Sequence, residues 1–458
     1  MDFNVEPRKR YLRIPFMLIC TYIFATYLIS ILGPVKYVYY TPFAKFLSGL
    51  YLFLFLIFTW CGMSLGMKYD KKINRIDDDK NKSELNYQRA MVWLSIGTAI
   101  TLVIKLLLVA SSIALEGLPS FSTFYETLAV VYTSMHRTEP VNNIFRALDT
   151  FTTFITYFTI LGNLFIWKLS GKRRKVTVLL IIGLDLFYNL FFIGTQRSLF
   201  TYAIFLMTYF LVSNARRNRR IEFSKKFKAV VGIVVLVLIS MNILYARKNY
   251  WNSDLSVISF SSGISYDYNN VFIRFLPDQI KYGVSTVLSY FGQGYYGLSL
   301  SLVSDFQWTF GIGSMRGLSS ILRQVFAFIP DMTVYTYPLR VGAEYGFDGL
   351  VHWYSIFPWL ASDYTFVGAL IYMGIVAYIY MKAWIEVIRY NNILSFTLLS
   401  LLNIMYLFLV ANHQLFISRG ESLATVVLFL SWLFFGKSFN WTQQNKKLAT
   451  DLVDKRGS

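Results

Sequence analysis

Charge is scarce in this sequence: Asp, Glu, Lys and Arg make up 15% of its 458 residues, where a soluble domain carries about 25%. A chain this long with so few polar groups could not cover soluble domains, which excludes a soluble enzyme. Cysteine and histidine are scarcer still. Cys20 and Cys61 both lie inside apolar runs, and His136, His352 and His413 show no i, i+4 spacing. No zinc centre and no disulfide framework follow from such a set. Walker, HExxH and GxSxG motifs are absent, so nucleotide-driven and protease chemistries lack their machinery. We expect no metal and no cofactor. The run Gly292-Gln-Gly294-Tyr-Tyr-Gly297 spells GxGxxG, but no strand–helix alternation surrounds it, and a dinucleotide fold is excluded.

What the chain has in excess is apolar length. Hydrophobic residues reach 55% and gather in blocks long enough to cross about 30 Å of hydrocarbon. Backbone amides in lipid need internal partners, so these blocks must be helices. Spans are predicted at 12–33, 44–67, 90–115, 146–168, 177–195, 198–213, 229–245, 363–385, 395–411 and 418–436. The run from Leu12 to Leu32 is too long for a signal h-region and reads as an uncleaved first span.

Lysine and arginine set the orientation. Most lie in or beside 1–11, 68–89, 169–176, 214–228, 386–394 and 437–458, including the cluster Arg216, Arg217, Arg219 and Arg220. The positive-inside bias places those segments and both termini in the cytoplasm. It also accounts for the net charge of +19 without a nucleic-acid partner. The chain then divides into an N-terminal transmembrane bundle of about seven spans (1–245), a large periplasmic loop (246–362), three C-terminal spans (363–436) and a cytoplasmic tail (437–458). Two apolar stretches in the loop, Val284–Val303 and Gly317–Ile329, must both span or neither, because one alone would carry the basic tail outside. We expect them to lie on or dip into the outer leaflet. The expected fold class is thus an all-α polytopic membrane protein with about 10–12 transmembrane helices.

Outside the cytoplasmic segments the basic residues favour arginine: Arg137, Arg146, Arg197, Arg247, Arg274, Arg316, Arg323, Arg340 and Arg419, against five lysines. A guanidinium grips phosphate with a planar fork and stays charged in poorly hydrated places. Arg197 sits in a hairpin too short to expose it freely, which marks it as a functional candidate. Arg247 closes the seventh span at a level where it could meet Arg197, or serve as a plain boundary residue. Among the histidines, His352 lies closest to carboxylates and suits a general base, with Glu344 and Asp363 as rivals. Asp363 also fits a helix N-cap at the start of its span. The loop's Tyr290, Tyr295, Tyr296, Trp308, Tyr335, Tyr337, Trp353 and Tyr354 suit either sugar stacking or simple packing.

Four stretches resemble the Wzy-type O-antigen polymerases, bacterial enzymes that join oligosaccharide repeat units. They are Gly194-Thr-Gln-Arg197-Ser-Leu-Phe, the run from Gly292 through Trp308 to Ser314, Phe357-Pro-Trp-Leu-Ala-Ser-Asp363-Tyr-Thr-Phe-Val-Gly368, and the single dominant loop between late spans. The Arg-x10-Gly pattern of some members is absent from the loop. The resemblance implies a GT-C-like polymerase/ligase architecture in the bacterial inner membrane and a role in lipopolysaccharide biosynthesis. Donor and acceptor would be oligosaccharides on undecaprenyl pyrophosphate, with a chain-length regulator as partner. Arg197 and Arg247, assisted by Arg274 or Arg323, would hold the pyrophosphate, and His352 would be the base. The alternatives are an O-antigen ligase, or a lipid-linked oligosaccharide flippase. A flippase should show two similar halves, and this sequence shows none.

Overall fold

The computed structural model describes residues 9–73, 80–118, 144–217, 257–259 and 263–440. The span expected at 229–245, Arg137, Arg247 and His136 lie outside the described residues. The remaining apolar blocks are helices: α1 (Lys9–Leu32), α2 (Pro42–Ile73), α3 (Lys80–Glu116), α4 (Ile144–Phe165), α5 (Lys172–Phe191) and α6 (Arg197–Arg217) before the large loop. After it come α10 (Ile356–Tyr390), α11 (Ile393–Leu407) and α12 (Arg419–Phe435). Among the described residues α1, α2, α3, α6, α10 and α12 are long and apolar enough to cross a membrane. Large apolar side chains such as Phe24, Phe53 and Trp93 are exposed on the outside of the bundle, where lipid is the natural solvent. The chain is an all-α polytopic membrane protein.

The loop adds α7 (Asp278–Ser301), α8 (Arg316–Val325) and α9 (Tyr337–Tyr345). It also adds something the apolar pattern did not announce, a small antiparallel sheet. Its strands β1 (Val35–Tyr37), β2 (Val257–Ser259) and β3 (Ile264–Tyr266) run in the order β1-β3-β2. Val35 pairs with Tyr266 and Tyr37 with Ile264, so the loop is stitched to the α1–α2 connection. Three-residue strands are too short for alternation to be read from sequence.

The GxGxxG run lies within α7, where its glycines serve close packing. A Cβ on Gly294 would stand 1.6 Å from the carbonyl oxygen of Val410, so only glycine lets α7 approach the end of α11. Thr26 of α1 and Tyr295 of α7 share a hydrogen bond of 2.7 Å, and Tyr295 is fully buried.

Helix α10 begins at Ile356, seven residues before the predicted span, and breaks at Thr365, whose φ of 64° and ψ of 167° are not helical. Asp363 therefore ends the first half and does not cap the second. Thr365 takes the cap, its hydroxyl accepting from the amide of Gly368 at 3.2 Å. Residues Ile356 to Asp363 are all buried. The carbonyls freed at the break find donors elsewhere. Thr309 N–H reaches Ser362 O at 3.1 Å and Trp308 Nε1 reaches Asp363 O at 2.9 Å; just past the break, the Tyr51 hydroxyl donates to Phe366 O at 2.9 Å. A loop segment has become the cap of a buried half-helix.

Candidate functional site

The first turn of α6 brings Arg197 against the start of α12. Its guanidinium pairs with Glu421, the two side chains being 28% and 14% exposed. It also donates to the carbonyl of Gln414 at 3.1 Å. With the Gln414 amide turned to match its neighbours, the side-chain oxygen faces Arg197 and the nitrogen donates to Asn412 at 2.8 Å. Glu421 is itself well held. The hydroxyls of Tyr157 and Ser418 donate to it at 3.2 and 3.1 Å. Ser418 also caps α12 by accepting from the Glu421 amide. Arg197 is thus fixed by Gln414 and Glu421, which lie in one distant part of the chain.

Immediately before Gln414 in the chain stands His413, 2% exposed. Its Nδ1 lies 3.0 Å from the Ser314 carbonyl, which makes Nδ1 the protonated nitrogen and leaves Nε2 as a bare acceptor. Among the described residues Nε2 has no partner. Burial pulls this imidazole down to about 4, against the pull of the Ser314 carbonyl. Ser314 also ties this corner to Asp363. The Asp363 carboxylate accepts from the amides of Gly313 and Ser314 at 3.1 and 2.8 Å and from the Thr309 hydroxyl. One buried carboxylate fixes the loop 309–314 and with it the start of α8.

His352 is buried in another wall of the same loop. Its ring lies flat on Phe347, centroids 4.8 Å apart, and its amide donates to Asp348 O at 2.8 Å. Burial pulls its imidazole down to about 4, with Asp348 opposing. Glu344 is exposed on α9 beside Tyr345. Arg274 is exposed, with its guanidinium over Phe275 at 4.5 Å. Arg323 pairs with Asp331 at the surface. Of the aromatic set, Tyr295, Tyr296 and Tyr354 are fully buried and Tyr290 stacks on Trp353 at 4.4 Å. Trp308 remains exposed.

Composition and spacing missed one cluster altogether. Lys105 of α3 lies 2.5 Å from Asp185 of α5 and 2.8 Å from Asp149 of α4, with Lys105 3% exposed. Tyr202 of α6 donates to the second oxygen of Asp185 at 2.6 Å. Tyr202 follows Arg197 on the same helix by five positions, about 7.5 Å along the axis. The signal was present in the sequence. Lys105 and Asp185 are each the lone charge of an apolar block, and single charges of opposite sign in neighbouring spans tend to pair. No group of three or more His, Cys, Asp and Glu suited to a metal occurs among the described residues.

A family model described as O-antigen polysaccharide polymerase Wzy matches residues 6–348. No curated protein and no solved structure matches.

Proposed function

This chain belongs to the O-antigen polysaccharide polymerase Wzy family, and from that premise we propose that it transfers a growing glycan from undecaprenyl pyrophosphate to a lipid-linked repeat unit. The family match across most of the chain carries the reading. Transfer would occur at the periplasmic face of the inner membrane, with both termini in the cytoplasm and 246–362 as the periplasmic loop. A chain-length regulator is the proposed partner.

In this mechanism an acceptor hydroxyl attacks the donor's anomeric carbon with inversion. The new glycosidic C–O bond forms as the bond to the pyrophosphate breaks, and the hydroxyl proton passes to a base. Undecaprenyl pyrophosphate leaves as an anion, so guanidinium groups near its oxygens lower the barrier. We assign that task to Arg197 and Arg247, with Arg274 or Arg323 assisting. Arg197 supports the assignment by its fixed position at the head of a span. His352 is the proposed base, with Glu344 as its rival. The oxygens of Asp363 already accept three hydrogen bonds, which suits holding the loop better than taking a proton. His352 and Asp363 lie beyond the matched stretch, so their roles rest on geometry alone.

Complementing a polymerase-null strain tests the function: a restored glycan ladder on a gel supports it, and single-unit capping in every host tested refutes it. His352→Ala should lower the rate by roughly 10²–10⁴. The pH profile gives a sharper test. An imidazole at about 4 is neutral, and competent as a base, throughout pH 5 to 8. Purified enzyme should therefore lose kcat/KM only as the pH falls toward about 4. An acid limb near an ordinary histidine value of about 6.5 that vanishes in the alanine variant would reject the buried His352 described above.

A further inference from the structure

Between β3 and α7 the large loop passes through a short run of turns with two unlike sides. Residues 267–276 are closed by Asn270 N–H to Asp267 O at 3.0 Å, Ile273 N–H to Asn270 O at 3.0 Å and Leu276 N–H to Ile273 O at 2.9 Å. Ile273 points into the protein and is 1% exposed, whereas Val271, Phe272 and Phe275 are 60%, 63% and 81% exposed. Two phenylalanines and a valine presented together on one turn mark a contact surface.

What covers that surface follows from where the turn is tied. The Asn270 side-chain amide donates to the carbonyls of Leu32 and Gly33 at 3.0 and 3.2 Å, and Asp267 N–H donates to Pro34 O at 2.7 Å. Lys36 pairs with Asp267 at 3.0 Å. Leu32 is the last residue of α1, a helix long and apolar enough to cross a membrane. The final carbonyls of a helix lack intrahelical donors, and Asn270 supplies one here. The turn therefore sits where a span leaves the hydrocarbon. Leu28 and Leu32 are exposed on the last turns of α1, so the helix meets lipid up to the residue that Asn270 caps.

Arg274 completes the pattern. It is exposed, and its guanidinium lies 4.5 Å from the centroid of the Phe275 ring. Apolar rings with a cation beside them suit the membrane interface, where rings sit at headgroup level and long basic side chains reach toward water and phosphate. Helix α7, which starts at Asp278, differs: Tyr295, Tyr296 and Leu298 are fully buried, so its middle is given to protein.

We propose that residues 271–275 insert into the leaflet at this end of α1. Val271, Phe272 and Phe275 lie among the upper acyl chains, and Arg274 meets the phosphates of anionic headgroups. The proposal stands independently of the polymerase reading. Held between α1 and lipid, the turn sets the height at which α7 begins. An arginine seated among headgroups is not free for the donor, so the assisting role falls to Arg323.

The test puts a fluorescent reporter at the tip of the turn. In the full chain carrying Cys20→Ala and Cys61→Ala, Phe275→Cys is labelled with nitrobenzoxadiazole and the protein is placed in phosphatidylcholine nanodiscs. A lipid nitroxide near the headgroup should remove most of the fluorescence, as it should for Ile371→Cys on the exposed face of α10. Iodide in the water should remove little. Val271→Cys should report the same and decides the matter if Phe275→Cys fails to fold. Phosphatidylglycerol in place of phosphatidylcholine should increase the loss to the nitroxide, and Arg274→Gln should cancel that increase. Quenching by iodide alone overturns the proposal, because the turn is then in water. Quenching by neither overturns it in favour of a protein cover, whether a second copy or another chain. A loss indifferent to lipid charge overturns the headgroup contact of Arg274.

Discussion

Arg197→Ala should leave a membrane-inserted protein whose polymer output has fallen by about a hundredfold or more, the usual effect of deleting one well-placed charge-stabilising donor. On a gel the glycan ladder should collapse to single-unit-capped lipopolysaccharide. The complication is Glu421, which pairs with Arg197 and would be left facing protein without its cation. A stranded carboxylate destabilises in its own right. Glu421→Gln in the same chain removes that charge while keeping an acceptor for Tyr157 and Ser418, which donate to it. The double variant should therefore recover protein level but not the ladder. If it recovers both, Arg197 is a structural ion-pair partner and nothing more. Immunoblotting of membranes beside the ladder separates these outcomes.

The larger effect on folding is expected at Lys105. Removing it, as in Lys105→Met, leaves Asp149 and Asp185 opposed in a buried place with no counter-charge. Breaking a buried ion pair by one partner typically costs about 3–5 kcal/mol, a large share of what holds a domain together. Membranes should contain little folded protein. Adding Asp149→Asn and Asp185→Asn to Lys105→Met removes all three charges, and the triple variant should be more stable than the single one. Thermal unfolding of detergent-solubilised protein reads the order directly. A triple variant as unstable as the single one would show that packing, not charge, explains the loss.

Much of the architecture could be read from the chain because lipid imposes a simple rule: apolar blocks of sufficient length become helices. The blocks at 44–67, 90–115 and 198–213 fall within α2, α3 and α6, and the block at 12–33 overruns α1 by one residue. The block at 395–411 ends as a helix at Leu407, because the chain there turns toward α7 and His413. The site was less legible, for a physical reason. Arg197 could be singled out by its hairpin, but its partners Gln414 and Glu421 lie in another part of the chain. His352 drew attention through nearby carboxylates in sequence, while in space it meets Phe347. His413 looked ordinary until its buried, unclaimed Nε2 was placed in space. Absence of a partner is a property of three dimensions.

The break at Thr365 limits how this region can vary. A continuous α10 of 35 residues would run about 52 Å, far beyond the roughly 30 Å of hydrocarbon, and would lift Phe357, Trp359 and Leu360 into water. The interruption instead turns them inward and lets 308–314 grip the end of the first half. Each residue inserted or deleted between Trp359 and Thr365 would swing that grip by about 100°. Substitutions here have some latitude, whereas spacing has almost none. Natural variation and engineered insertions should accordingly collect elsewhere, and the six-position interval from Trp359 to Thr365 should keep its length even where its letters drift.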